Sequence, residues 1–287
     1  MQYNGIENKE VVYDIIYGFY HSINDSISQV LDRIVFINSS ILKDGMIEKL
    51  FGSTNKFGTI QIANLFIYGI LIYFAFTYLL SKITNEDKEN ISHFFYKLLF
   101  AAIVVGFSFE ICKFIIDLNN SITEEILNFG RETLQMEINF ENLFNKIKVI
   151  IGKNTDKEAE SINSILEAFT SFGLINLILV YSLRYVYVKI LSVLLPFAII
   201  LKSNSKTEYI SKAWLKSFIG LLLIQQLVAI VVLVALSIKF GRISIFSKIV
   251  SVGCVYALMQ INELQRELIG GTSLYINNSF RNYKGGI

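Results

Sequence analysis

The uncharged run from Ser217 to Ile238 limits what this chain can fold into more than any other feature. Its 22 residues are mostly apolar. At 1.5 Å per residue they make a helix of about 33 Å, enough to cross a hydrocarbon core of about 30 Å. Lys212, Trp214 and Lys216 stand just before it, and indole rings and ammonium groups favour the headgroup region. Trp214 is therefore expected to be an interface anchor. A second clean run covers Ile60 to Leu80. The chain reads as an all-α, polytopic membrane protein.

Bulk composition narrows the class further. Of 287 residues, 53% are hydrophobic, and the mean hydropathy is +0.50, which leaves room for sizeable polar segments. A net charge of +2 excludes a strongly basic body that holds nucleic acid by neutralising phosphates, though not transient contacts. Cys112 and Cys254 both fall in apolar runs, so no disulfide framework is expected. The first apolar stretch is interrupted by Asp14, His21, Asp25 and Asp32 and lacks a basic start. Insertion is thus expected to rely on internal spans rather than a secretory signal.

Residues 1–59 form an amphipathic N-terminal region. Val12, Ile15, Ile16, Phe19, Ile23, Ile27, Val30, Leu31 and Ile34 step by three or four, which predicts a helix with one apolar face. Its acids prevent it from spanning. It either lies on a membrane surface or on a partner, or covers the protein's own bundle. Gly45 to Gly58 reads as a connection.

About five spans are expected. The first two occupy residues 60–116, at about Ile60 to Leu80 and Phe94 to Ile116. Residues 117–168 form an acidic, helical extracytoplasmic loop, with helical patterns around Ile122 to Phe129, Phe140 to Ile151 and Ile162 to Phe169. Residues 169–262 hold spans three to five: about Phe172 to Leu201, Ser217 to Ile238 and Ile245 to Ile261. Span five contains Lys248. Span three is too long for the hydrocarbon alone, and Pro196, the single proline, is the expected helix break. Residues 263–287 form a polar tail. Lys202, Lys206 and Lys212 place the loop before span four inside. The N-terminus is then outside and the C-terminus cytoplasmic, although Lys239, Arg242 and Lys248 argue the other way.

Few residues suggest chemistry. Arg184 lies mid-span, where a charge costs about 2.5–3.5 kcal/mol on insertion scales. It is expected to line a pore or a helix seam, to snorkel, or to pair with Glu110. Glu110 can also pair with Lys113, three residues on. Gln225 and Gln226 sit mid-span and can bond across to another helix. Ala102-x-x-x-Gly106 and Gly253-x-x-x-Ala257 are small-residue patterns that suit ordinary helix packing. His21 and His93 lack metal-ligand spacing, and no phosphate loop or nucleophile motif occurs. No metal, cofactor or enzymatic activity is expected.

The stretch Leu183-Arg-Tyr-Val-Tyr-Val-Lys-Ile-Leu-Ser-Val-Leu-Leu-Pro-Phe-Ala198, then Lys206-Thr207 and Trp214-Leu-Lys-Ser-Phe-Ile219, resembles the TrbL family. That family comprises polytopic inner-membrane channel subunits of type IV secretion and conjugation machines. The strongest likeness covers about Leu174 to Val232, and the order of parts extends it over most of the chain. The resemblance implies a bacterial inner-membrane subunit that forms a homo-oligomer and helps translocate DNA or protein. It implies partners among other type IV secretion subunits, including the secretion ATPase. No activity of the soluble C-terminal domain that some relatives carry is expected. The competing reading is a small-solute carrier or permease subunit, which calls for broken helices around convergent polar groups. A structural membrane anchor is a third.

Overall fold

The computed structural model describes residues 25–52, 58–84, 91–152, 159–203, 207–240 and 244–269. Helices α1 (Asp25–Val35), α2 (Gly45–Phe51), α3 (Thr59–Thr84), α4 (Ile91–Gly106) and α5 (Ser108–Leu134) are followed by α6 (Phe140–Gly152), α7 (Ala159–Lys202), α8 (Glu208–Ser237) and α9 (Ile245–Ile269). A short 3-10 turn, Ser39–Leu42, separates α1 from α2. No strand occurs among the described residues. The protein is all-helical and polytopic. Four helices, α3, α7, α8 and α9, are long and apolar enough to cross a membrane, and α4 with α5 makes a fifth if that bent pair is one span.

The most apolar of the four candidate spans is the centre. Helix α8 packs against α5, α7 and α9. Of its apolar window, 56% is buried, against 11% of the corresponding window in α3. Phe218, Leu221, Leu222, Ile224, Val228 and Val232 fill the core from α8. Two glycines let this trio of helices close up. A Cβ on Gly173 of α7 would lie 2.7 Å from Val255 of α9, and one on Gly220 of α8 would lie 2.3 Å from Gln265 of α9. The sequence patterns at Gly106 and Gly253 do not serve this purpose, since a Cβ there meets nothing within 4 Å.

Helices α3 and α4 stand at the periphery. They pack on each other and on the end of α7, where Ala63, Ile67, Leu98, Val105 and Ile200 form a separate small core. Phe66, Tyr73, Phe76, Tyr96 and Phe100 remain exposed, an apolar exterior that suits lipid or another protein surface.

The second predicted span, Phe94 to Ile116, is not one helix. It breaks at Phe107 and bends by 68°. Gly106 is a weak helix former and closes α4. The Phe107 amide bonds back three residues to Val104, and Ile111 bonds to the Phe107 carbonyl to start α5. The turn lays Ser108, Cys112, Asn119 and Thr123, all buried, along the core.

The break expected at Pro196 is absent, because α7 runs through it for 44 residues, about 66 Å. Pro196 is buried, and its missing N–H would have met the Ser192 carbonyl one turn earlier. The Ser192 hydroxyl is itself satisfied, donating to the Val188 carbonyl at 2.7 Å. A proline enclosed by neighbouring helices is tolerated in such a helix.

The N-terminal amphipathic pattern is resolved in favour of the protein's own bundle over residues 25–35; its first part, Val12 to Asn24, lies outside the described residues. Leu31 and Val35 are fully buried, and α1 packs on α6 and α7. The Gly45 to Gly58 connection contains a helix instead, α2. Asp44 accepts from the Met46 amide at its start. Gly52 ends it at φ 84°, a left-handed conformation that glycine adopts without a Cβ penalty.

The acidic segment is helical and does not stand apart. Helix α6 buries Phe140, Leu143, Phe144, Ile147 and Ile151 and packs on α1, α8 and α9. Its Lys146 Nζ donates to the carbonyls of Ala235 (3.1 Å), Leu236 (2.8 Å) and Ile238 (2.6 Å). An ammonium at the carbonyl end of α8 satisfies acceptors that the helix leaves open and complements its dipole.

Candidate functional site

Three helices and one helix break meet at Arg184. Its apolar neighbours on α7, Leu177, Tyr181 and Val188, are buried, so the arginine is carried into the core with them. It is fully buried. Nε donates to the Leu221 carbonyl of α8 at 2.7 Å, and Nη1 donates to the Val35 carbonyl at 2.8 Å. Val35 is the last residue of α1, so its carbonyl belongs to the negative end of that helix. The positive charge is thus met by the end of a helix and by a carbonyl of α8. Nη2 is enclosed without a hydrogen-bond partner.

Gln225 holds the other side of the same break. It is fully buried, and its Oε1 accepts from the Ile37 amide at 3.1 Å. Longer contacts at 3.4 Å run from Asn119 Nδ2 to Gln225 Oε1, from Gln225 Nε2 to Asn120 Oδ1, and from Gln226 Nε2 to Asn119 Oδ1. Asp117, on α5, accepts from the Ser39 amide at 3.2 Å. The Ile37 backbone, buried and outside any helix, needs such a partner, while Asn38 and Ser40 beside it are exposed. Asn38 adds a local one, accepting from the Ser40 amide at 3.0 Å.

The same segment is pinned at two further points. The Asp32 carboxylate accepts from the Phe140 amide at 3.2 Å. Burial pushes this carboxyl up to about 6; the Phe140 hydrogen bond lowers it and the Glu141 charge adds to the rise. Lys189 Nζ donates to Asp44 Oδ2 at 3.1 Å and sits 4.9 Å from the Tyr185 ring centroid. The Lys189 hydrogen bond holds the Asp44 carboxyl below its ordinary value.

The expected site residues therefore divide. Arg184 and Gln225 come together on one break, with Gln226 at its edge. Glu110 is not part of it: it is exposed in the first turn of α5 and does not staple Arg184. Trp214 stacks on Phe218, with ring centroids 5.2 Å apart, and its Nε1 is enclosed without a partner. Lys248, the charge inside span five, is 2% exposed. Its Nζ donates to Asn163 Oδ1 at 2.6 Å, with the charge of Glu167 nearby. Tyr181 joins α7 to α9 by donating to the Leu258 carbonyl at 2.9 Å.

Sequence reasoning missed Asp32, Asn119, Asn120 and Lys146. Asn119-Asn120 lies inside a helical stretch between apolar residues, a signal that polar groups are required there.

Chemically, the site is a clamp. Its donors and acceptors are aimed at backbone atoms of residues 35–39, which lets a helix end inside the bundle. Comparison with models of protein families, with curated proteins and with solved structures finds no match for this chain.

Proposed function

We propose that this chain is a scaffold or channel subunit of a type IV secretion machine for conjugative DNA transfer, as its resemblance to the TrbL family implies. In this reading it is a bacterial cytoplasmic-membrane protein with its N-terminus outside and its C-terminus in the cytoplasm. It assembles with itself, with other secretion subunits and with the secretion ATPase, and contacts the translocated DNA or protein transiently.

The observation that carries the reading is how the buried polar groups are spent. Arg184 and Gln225, the strongest candidates for a midplane solute site, are engaged by Val35, Leu221 and Ile37 of the same chain. A solute carrier needs such groups to converge on its cargo. A scaffold needs them to lock its bundle. The apolar exterior of α3 and α4 is consistent with assembly in the bilayer, where close helix packing joins subunits.

The test is deletion of the gene in its host. Conjugative or secretory transfer is expected to be lost, with growth and solute uptake normal. Complementation by the wild-type chain should restore it. Normal transfer together with failed accumulation of a small solute would overturn this reading in favour of the carrier.

A further inference from the structure

Lysines from three helices converge at one end of α7. Glu208, the first residue of α8, pairs with Lys212 at 2.9 Å. Lys97 of α4 and Lys202 of α7 also lie within electrostatic reach of it. One carboxylate offsets one ammonium, so the cluster keeps a positive excess. Lys97, Lys202 and Lys212 are exposed, and so is Lys216, one turn beyond Lys212 on the same face of α8.

Beside Lys97 in sequence, Leu98 belongs to a groove between α3 and α4. The groove encloses about 210 Å³, and its walls include Ile67, Leu71, Phe95, Leu98 and Ala102. Asn64 and Tyr68 bring the polar groups among them. Helix α4 thus carries both a member of the basic cluster and one wall of an apolar slot. A ligand that answers both has a phosphate and a hydrocarbon chain.

We infer that this corner binds one anionic phospholipid of the surrounding bilayer. Its phosphate rests among Lys97, Lys202 and Lys212, and part of an acyl chain lies in the α3–α4 groove. Basic pockets between membrane helices select such headgroups by charge, and long apolar tails fill grooves that side chains leave open. This assignment does not depend on the secretion reading.

The experiment uses the full chain in nanodiscs of mixed phosphatidylglycerol and phosphatidylcholine, followed by release into detergent and native mass spectrometry. The wild-type protein is expected to retain phosphatidylglycerol in preference to phosphatidylcholine. Each of Lys97→Gln, Lys202→Gln and Lys212→Gln should lower that retention, by about fivefold per lysine. Ala102→Phe, which fills the groove and leaves every lysine in place, should lower it too. Inorganic phosphate in excess should not displace the lipid. Equal retention of both lipids by the wild-type protein would overturn the proposal without recourse to any variant. Full displacement by phosphate would overturn the lipid assignment and leave only a phosphate site, and retention unaffected by Ala102→Phe would overturn the placement of the acyl chain in the groove.

Discussion

Arg184 Nη1 meets the Val35 carbonyl at 2.8 Å across 149 positions of sequence. A fully buried cation and the end of a buried helix each carry a cost, and here each offsets part of the cost of the other.

Arg184→Ala should therefore remove a charged donor from two carbonyls, those of Val35 and Leu221, each of which keeps only a backbone amide. A hydrogen bond to a charged group contributes about 1.5–3 kcal/mol. The expected loss is roughly 2–4 kcal/mol, seen as a lower unfolding temperature in detergent. Arg184→Lys keeps the charge but lacks the planar fork that serves two acceptors, so its loss should fall between. Membrane insertion should be normal in both. An unchanged unfolding temperature in Arg184→Ala would remove the clamp from this account.

Gln225→Leu should be more damaging than Gln226→Leu. Gln225 accepts the Ile37 amide, whereas Gln226 makes a single contact at 3.4 Å. The effect should appear in the stability of the isolated subunit, by about 1–3 kcal/mol, rather than in oligomer size alone. Equal effects of the two substitutions would contradict the assignment.

Asp32 gives stability a pH dependence. Its folded-state value of about 6 lies above its ordinary 3.8, so the folded protein favours the protonated form. Its stabilising contribution is fully present below about pH 4 and is lost as pH rises through about 6. The full swing is about 3 kcal/mol at most. Asp32→Asn retains an acceptor for Phe140 and should flatten this part of the profile. Unfolding temperatures measured in detergent between pH 4 and 7 for both proteins test it. Parallel profiles would show that another group titrates.

Lys146→Met should loosen the end of α8. Three carbonyls lose a charged donor, an effect of about 1.5–3 kcal/mol. Hydrogen exchange should speed up at the amides of the last turn of α8 and stay unchanged near Arg184. Uniform protection along α8 would show that the lysine is dispensable.

Helix α7 should place its two ends on opposite sides of the membrane. Cysteines at Gly152, before it, and at Lys202, its last residue, should react with an impermeant reagent from opposite faces in intact cells and inverted vesicles. Labelling of both from one face would mean that α7 does not cross.

Much of this architecture could be read from apolar runs. Helices α3, α8 and α9 begin within about a turn of their predicted starts, or before them, because long apolar runs demand burial in lipid or protein, even where α9 carries Lys248. Other features rest on information that hydropathy does not carry. Gly106 and Phe107 form the break that Pro196 does not, since whether a weak point yields depends on what packs around it. Helix α2 had signals in Asp44 and Gly52, but it is only 7 residues long and too short for a periodic pattern. The partner of Arg184 was not legible because it is not a side chain. The Val35 carbonyl is open to the guanidinium only because α1 ends there and no i+4 amide takes it, and where a helix ends in the core is decided in three dimensions. Asn119 and Lys146 are hidden for the same reason: their partners are an amide side chain 106 residues away and the final carbonyls of α8.

The break after α1 also sets a timetable for biosynthesis. Val35 leaves the ribosome 149 residues before Arg184, and Ile37 leaves 188 residues before Gln225. At roughly 5–20 residues per second the nascent chain waits on the order of ten seconds between making the break and making its clamp. During that interval residues 35–39 have their local bonds and Asp117, and the sites of Arg184 and Gln225 are left to water, headgroups or a helper protein. A ribosome stalled ahead of Arg184 leaves α1 with α6 alone to dock on, so the clamp that closes the break after the earliest described helix is a late event.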